Sequence, residues 1–488
     1  MYYFTVLAFL CGVIQGLQEP RLVYPRLLEE RSSDGKLVME IHDQLTLNLE
    51  KASVAAPQLR FLKRGKESVN MMIDGREIND QLYQDGEKFA TVAVSRNGTA
   101  AEMKGLVGPS YRIEPLFSME RSDSGLVPHM IYEIEQKPVI DRAIGFDDKE
   151  NCPDSRETKR PKRRRGKKRR KPEPGEFVAE VFFLLDHPHF RHFKNKEDAL
   201  MYICIMMNSA NLRFTDVANP RVRLMVTGVE EPSGEEYVRG TEELLADSDT
   251  LPELKKYAGR KKDEFGNPDI VYLLSGRDVI SKKGDEWDKN ARGVGYVSGV
   301  CTDHYVALGE DLPGLYTGMI TMTHELGHVL GAVHDGDGPY RYIRGHPGAK
   351  SCPWDDGFVM SYVDKGANHQ IFSRCSLRQM AYVLRGKGKK CWDVASNGYN
   401  MSIQYPGNQE IIEKICEKKF PNKNVEANVI FPKDNECKLR CLHKERKGRY
   451  TRTHWLDVDT PDFTRCGRRK ACIKGRCVRT WRPGPDDE

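Results

Sequence analysis

A chain of 488 residues is too long for a single hydrophobic core, so about three domains are expected. Hydrophobic residues at 39% and charged residues at 30% exclude a wholly disordered chain and fit a soluble globular one. The formal net charge of +6 hints at nucleic acid, but Lys159–Lys171 alone carries eleven Lys or Arg, and without it the remainder is negative, so nucleic acid is not the expected partner.

The first apolar run, Phe4–Ile14, is too short to span a bilayer and ends in small and polar residues. It reads as a signal peptide over 1–16, although no Lys or Arg precedes it. No later stretch reads as transmembrane, so a secreted, extracellular product is expected. Within 17–170, the stretch Leu22–Val139 alternates apolar and polar residues in short pieces, such as Lys36–Ile41, Leu45–Leu49 and Phe89–Val94. That period of two, punctuated by Gly and Asn, predicts a β-rich prodomain. Within it Asn97-Gly98-Thr99 is a glycosylation sequon, and Cys152 offers a thiol.

The basic run has three readings: a nuclear localisation or nucleic-acid patch, a solvated linker, or a convertase processing site. Arg160-Pro161-Lys162-Arg163 has the R-x-K-R form that convertases prefer, and Lys167–Arg170 offers a second site. Behind a signal peptide, processing at Arg163 or Arg170 is the reading adopted.

From 171 to 395, apolar runs at Glu176–Leu185, Val222–Val229, Ile270–Leu274 and Val294–Val300 predict strands. The segment Asn195–Asn208 has helical spacing, with Leu200, Ile203, Cys204 and Met207 on one face. Strands separated by helical stretches argue for an α/β domain. Eleven of the thirteen cysteines lie downstream of the basic run, so one stays unpaired. Cys204 is read as that one, a small buried hydrophobe.

The segment Thr321–Asp335 carries His-Glu-Leu-Gly-His-Val-Leu-Gly-Ala-Val-His-Asp from His324. On a helix His324 and His328 share a face and can each offer a ring nitrogen to one zinc ion. Glu325, one residue along, reaches a water on the metal as general base without being a ligand. Gly331 permits the sharp turn that returns His334 as third ligand. Three protein ligands leave a fourth position for water, as in catalytic zinc sites. A chance HExxH in a chain of this composition has a probability of ~2%, but the extended HExxHxxGxxH only ~0.005%. A thiolate is a good zinc ligand, so Cys152 is the candidate zymogen switch, the alternative being an unpaired thiol.

With Asp335 after the third histidine, the motif resembles that of the reprolysin (adamalysin) family of the metzincin clan. Gly357–Tyr362 resembles the family's Met-turn, which implies a structural role for Met360 beneath the metal. The resemblance implies a mixed twisted sheet with helices, one catalytic Zn2+, and disulfides Cys301–Cys391 and Cys352–Cys375. It also implies a Ca2+ site near Glu180 and Cys391, where Asp393 would stand in for the oxygen missing at Val394. Val23–Gly35 and Leu45–Leu49 resemble tick salivary-gland metalloproteases, which implies an anti-haemostatic role on fibrinogen, fibrin or matrix.

From 396 to 488 apolar density falls and six cysteines crowd Cys416–Cys477, as in a small disulfide-stapled module. Thr464–Val478 is similar to the cysteine-rich segment of the ADAMTS group. Between Lys433 and Glu488 there are 16 Lys or Arg against 9 Asp or Glu, so heparan sulfate is a candidate partner and a solvated basic surface the alternative. Asn400-Met401-Ser402 is a second sequon. The sequence thus predicts a secreted zinc endopeptidase, made as a zymogen, acting on extracellular proteins. The alternative is a secreted, noncatalytic anti-haemostatic binder acting through the cysteine-rich module.

Overall fold

Along Glu176–Leu185 every residue from Ala179 onward is buried, because the strand is covered on both faces. Val181, Phe183 and Leu185 enter one core, whereas Phe182 and Leu184 enter another on the opposite face. The computed structural model describes residues 19–31, 36–63, 69–97, 100–136, 138–141, 175–283, 286–394, 415–421, 423–430, 436–447, 450–460, 464–467, 470–473 and 476–479. Residues 1–16, expected to be a signal peptide, and Cys152, Arg163, Arg170 and Asn400 lie outside the described residues. The described residues up to 394 form one unit and those from 415 a second.

In the first unit this strand lies inside a seven-stranded sheet ordered Gly293–Gly295, Val306–Glu310, Ile270–Ser275, Glu176–Leu185, Arg221–Glu230, Ala55–Lys63 and Val69–Asp74. The pairings are parallel except at its two ends. The predicted strand Val294–Val300 is shorter than expected. Only Gly293–Gly295 joins the sheet, and then Ser298 and Cys301 adopt φ of 63° and 57°. There the Ser298 and Val300 amides donate to His328 O and Val329 O at the end of the motif helix.

The predicted helix at Asn195–Asn208 runs further, from Lys196 to Phe214. Asn195 caps it by accepting from the Asp198 amide at 2.8 Å. One side packs on the sheet, where Asn211 exchanges hydrogen bonds with Leu224 at 2.7 and 2.9 Å. The other side meets the N-terminal region: Asn208 Nδ2 donates to Gln84 Oε1 and Thr91 Oγ1, and the Arg213 guanidinium lies 5.1 Å from the Phe89 ring centroid. Burial on both sides leaves the helix apolar most of the way round. Opposite, helix Asp247–Arg260 covers the second face of the sheet with Leu251, Leu254 and Tyr257.

The N-terminal region is rich in strands. Nine of them form an antiparallel sheet from Arg21–Val23 at one edge to Arg26–Arg31 at the other, around Leu37, Met39, Leu47, Leu49, Val92 and Met103. A hairpin of the same region, Ala55–Lys63 with Val69–Asp74, instead extends the seven-stranded sheet. Leu59, Phe61, Leu82 and Leu106 share one core with Phe183, Ile203 and Leu326.

The C-terminal unit has two three-stranded antiparallel sheets, the first built on strands Lys438–Lys447 and Tyr450–Asp459. Disulfides Cys416–Cys441, Cys437–Cys472 and Cys466–Cys477 hold it. In the first unit Cys301–Cys391 and Cys352–Cys375 form as the resemblance implies, and Cys204 is buried and unpaired.

Two outcomes follow. Each large apolar side chain buried between the N-terminal region and the rest contributes roughly 1.5–3 kcal/mol, and a strand ladder adds to them. A chain cut within Lys159–Lys171 should therefore elute as one nondenatured species and part into two only in denaturant. Burial raises the Cys204 thiol to about 12 and the Tyr202, Tyr272 and Tyr316 phenols above their ordinary range. The unfolded chain then sheds these protons at lower pH than the folded one, so the thermal midpoint should fall as pH rises through roughly 9 to 11.

Candidate metal centre

The motif segment forms helix Met319–Leu330, every residue of which is buried. Its entry is tied down by Asp311, which accepts from Tyr202 OH at 2.8 Å and from the Gly318 amide at 2.8 Å, with His189 Nε2 2.9 Å away. Its end is set by Gly331 at φ 121°, where a Cβ would come within 2.5 Å of Val383 Cγ2. The chain then turns back and brings His334 to the helix.

His324 Nδ1 lies 2.7 Å from Val359 O and His328 Nδ1 2.7 Å from Ala332 O. A carbonyl accepts only, so each Nδ1 carries a proton and donates it, which turns Nε2 toward the centre as the atom available to a metal. His334 Nε2 lies 3.3 Å from His324 Nε2 and 3.2 Å from His328 Nε2. Three imidazole nitrogens converging at this range suit a zinc ion. The donor set fits a metal ion.

Glu325 is buried, and neither of its carboxylate oxygens has a hydrogen-bond partner. Burial, then the charges of Asp141 and Asp247, raise its carboxyl well above the usual range. A neighbouring cation would counter that cost. The edge strand makes room for it: a Cβ on Gly293 would sit 2.8 Å from Glu325 Oε1 and one on Gly295 3.1 Å from Oε2. Met360 is fully buried below, its Sδ 3.0 Å from where a Gly327 Cβ would stand. Asp335 ties the turn to the next helix, accepting from Ser373 Oγ at 2.6 Å, while its amide donates to Met360 O. Burial raises the Asp335 carboxyl to about 6.

Sequence reading missed one residue at this centre. Asp141 Oδ1 lies 2.8 Å from His334 Nε2 and 3.3 Å from His324 Nε2, and Oδ2 lies 3.0 Å from His328 Nε2. Burial opposes its ionisation, but the three imidazoles outweigh it and hold the carboxyl well below its usual range. No pattern around Val139-Ile140-Asp141 marks it.

A second group of donors surrounds Glu180. The Glu180 amide donates to Asp269 Oδ2 at 2.9 Å, and burial, with Glu180's charge adding, raises the Asp269 carboxyl. Cys391 reaches the same place through its disulfide, Cys301 Sγ lying 3.0 Å from Asp269 Oδ1. Asp393 is exposed, so the buried carboxylate beside Glu180 is Asp269, which sequence reading did not select. Lys387, lowered by burial to about 8, donates nearby to Ser298 O and Val300 O and acts on Asp269. Asn97 ends strand Ala90–Asn97, paired with Ala100.

A buried three-imidazole centre with an adjacent carboxylate is a donor set that suits a catalytic metal ion. Residues 200–335 match the model of the reprolysin-like metallo-peptidases of family M12B. That segment is thus similar to a reprolysin-type zinc metalloendopeptidase domain. The chain is 25% identical over 325 residues to a Bombyx mori protein described as a disintegrin and metalloproteinase with thrombospondin motifs like, covering 62% of this chain and 45% of that one. It is 26% identical over 337 residues to the venom metalloproteinase antarease-like TtrivMP_A of Tityus trivittatus, covering 66% of this chain and 81% of that one. Similarity to the venom metalloproteinase antarease TserMP_A of Tityus serrulatus is 25% over 339 residues, covering 67% and 83%. The chain thus spans less than half of the Bombyx mori relative and most of the two scorpion ones.

Gly293→Ala should push the Glu325 carboxylate aside and lower kcat on the order of 10²-fold, with metal content unchanged. Gly295→Ala, whose Cβ meets Glu325 at the longer distance, should cost less. Steady-state kinetics beside metal analysis of both variants would check the ranking.

Proposed function

We propose that this protein is a secreted zymogen of a zinc endopeptidase that hydrolyses extracellular proteins, with His324, His328 and His334 as zinc ligands and Glu325 as general base. The convergence of the three Nε2 atoms beside a buried, unpartnered Glu325 carries the reading. Zinc supplies a polarised carbonyl and an acidified water when bound. Glu325 takes a proton at its carboxylate and returns it to the leaving amine, so no protein nucleophile is required. Gly331 and Asp335 fix the return of the third histidine, and Met360 is the apolar floor of a Met-turn at Gly357–Tyr362.

In the same reading residues 1–16 are a signal peptide, 17–170 a prodomain cut at Arg163 or Arg170, 171–395 the protease domain and 396–488 a cysteine-rich module. Five disulfides fit an oxidising compartment, and no helix among the described residues is long and apolar enough to cross a membrane. The venom metalloproteinases among the relatives support an enzyme delivered outside the cell, and fibrinogen, fibrin or matrix are the substrates proposed. An anti-haemostatic salivary role is the narrower form of that proposal. Glu180, Asp269 and the Cys391 carbonyl are the candidate holders of a Ca2+, against the positive charge of Lys387. The basic C-terminal unit, with exposed Tyr450 and Trp455, is the surface offered to heparan sulfate or matrix.

The test is degradation of fibrinogen, fibrin and gelatin by the processed protein, its Glu325→Gln variant, and the chelated protein before and after zinc is restored. Glu325→Gln should lower the rate by about 10²- to 10⁴-fold with zinc still bound, and zinc should restore the chelated enzyme. Absence of cleavage by the zinc-loaded, processed wild type would favour the noncatalytic binder.

A further inference from the structure

Asp141 precedes the basic run, so a cut anywhere in Lys159–Lys171 places it on a different fragment from the three histidines. Before a cut, its carboxylate stands at the point where their Nε2 atoms meet. Several contacts hold it there. Ile140 forms a parallel bridge with Ala291, beside the edge strand, and the Arg292 amide donates to Ile140 O at 2.8 Å. Tyr362 OH lies 2.6 Å from Asp141 O and 2.8 Å from Asp141 Oδ1, donating to this pair of acceptors. Val139 is buried just before it.

The ring orientations at the centre make this placement chemically specific. His324 and His328 are oriented by their Nδ1 contacts to backbone carbonyls, so their Nε2 atoms point at the carboxylate. With a metal ion shared between them, the three nitrogens and one Asp141 oxygen complete a four-coordinate site. A catalytic zinc needs its fourth position open to water, so the fourth donor closes it.

We infer, resting on the zinc reading above, that Asp141 rather than Cys152 is the residue of the N-terminal region that occupies the fourth zinc position and keeps the uncut chain inactive. One position accommodates one such donor, so carboxylate and thiolate are exclusive alternatives. Asp141 is a buried side chain with two oxygens at the centre and a backbone pinned by Arg292 and Tyr362. Its Oδ2 has no hydrogen bond, and that oxygen faces His328 Nε2 at 3.0 Å.

The experiment uses the uncut full-length chain loaded with cobalt(II), as wild type, Asp141→Ala, Asp141→Asn and Cys152→Ala. Asp141→Asn retains the shape and an acceptor for Tyr362, so it keeps the test valid should Asp141→Ala fold poorly. The visible ligand-field bands of cobalt should change in both Asp141 variants and stay as in wild type in Cys152→Ala, with no thiolate-to-cobalt charge-transfer band in any of them. Peptidase activity of the uncut zinc form should rise at least about tenfold in the Asp141 variants as the open fraction grows, and not in Cys152→Ala. A charge-transfer band in wild type that Cys152→Ala abolishes, or one bound cobalt whose spectrum ignores Asp141, would overturn the Asp141 assignment and leave the metal site standing. A wild type that binds no cobalt would overturn the metal site and Asp141's role together.

Discussion

Three imidazole nitrogens converge on one point, His334 Nε2 lying 3.3 and 3.2 Å from the other two, and two of the rings are oriented by backbone carbonyls. Much of the surrounding architecture serves to hold that gathering in place. The Asp311 network anchors the entry of helix Met319–Leu330, Gly331 ends it, and the Val359 carbonyl fixes the first ring from outside. Asp335 links the returning strand of chain to Ser373 at the start of helix Arg374–Gly386. A rigid scaffold of this kind is what a metal site requires, since ligands that must reorganise lose affinity and speed.

The sheet places chemistry at its edge and support behind it. Gly293 and Gly295 lie on the short edge strand because Glu325 occupies the space that side chains there would need. Beyond the opposite side of the sheet core, the N-terminal hairpin Ala55–Lys63 and Val69–Asp74 continues the ladder, so the N-terminal region is joined to the domain far from Asp141 as well as at it. Latency on this account is held at two widely separated places: a carboxylate at the centre, and a shared sheet and core that keep that carboxylate from drifting away.

The parts of the site legible in the sequence were those with local causes. His324 and His328 share a face because they are four apart on a helix, and Gly331 stands where the chain must turn. The strands Glu176–Leu185 and Ile270–Leu274 were legible because burial on both faces demands continuous apolar residues. Asp141 was not legible because its meeting with the histidines is long-range, and nothing about a single aspartate after Val139 and Ile140 distinguishes it from a surface one. Alternation identified the N-terminal strands without saying which sheet each would join. Val294–Val300 failed as a full strand because its second half bonds to the end of a helix, a tertiary choice that apolar content does not encode. Asp269 was hidden for the same reason, its partner Glu180 lying 89 residues away.

The central claim is that His324, His328 and His334 hold one zinc ion, and elemental analysis of the purified full-length chain tests it most directly. The account predicts one zinc per chain in the wild type and its near-complete loss in His328→Ala, with far-ultraviolet circular dichroism retained. A folded wild type without zinc, or a folded His328→Ala variant that keeps its full zinc content, would contradict it.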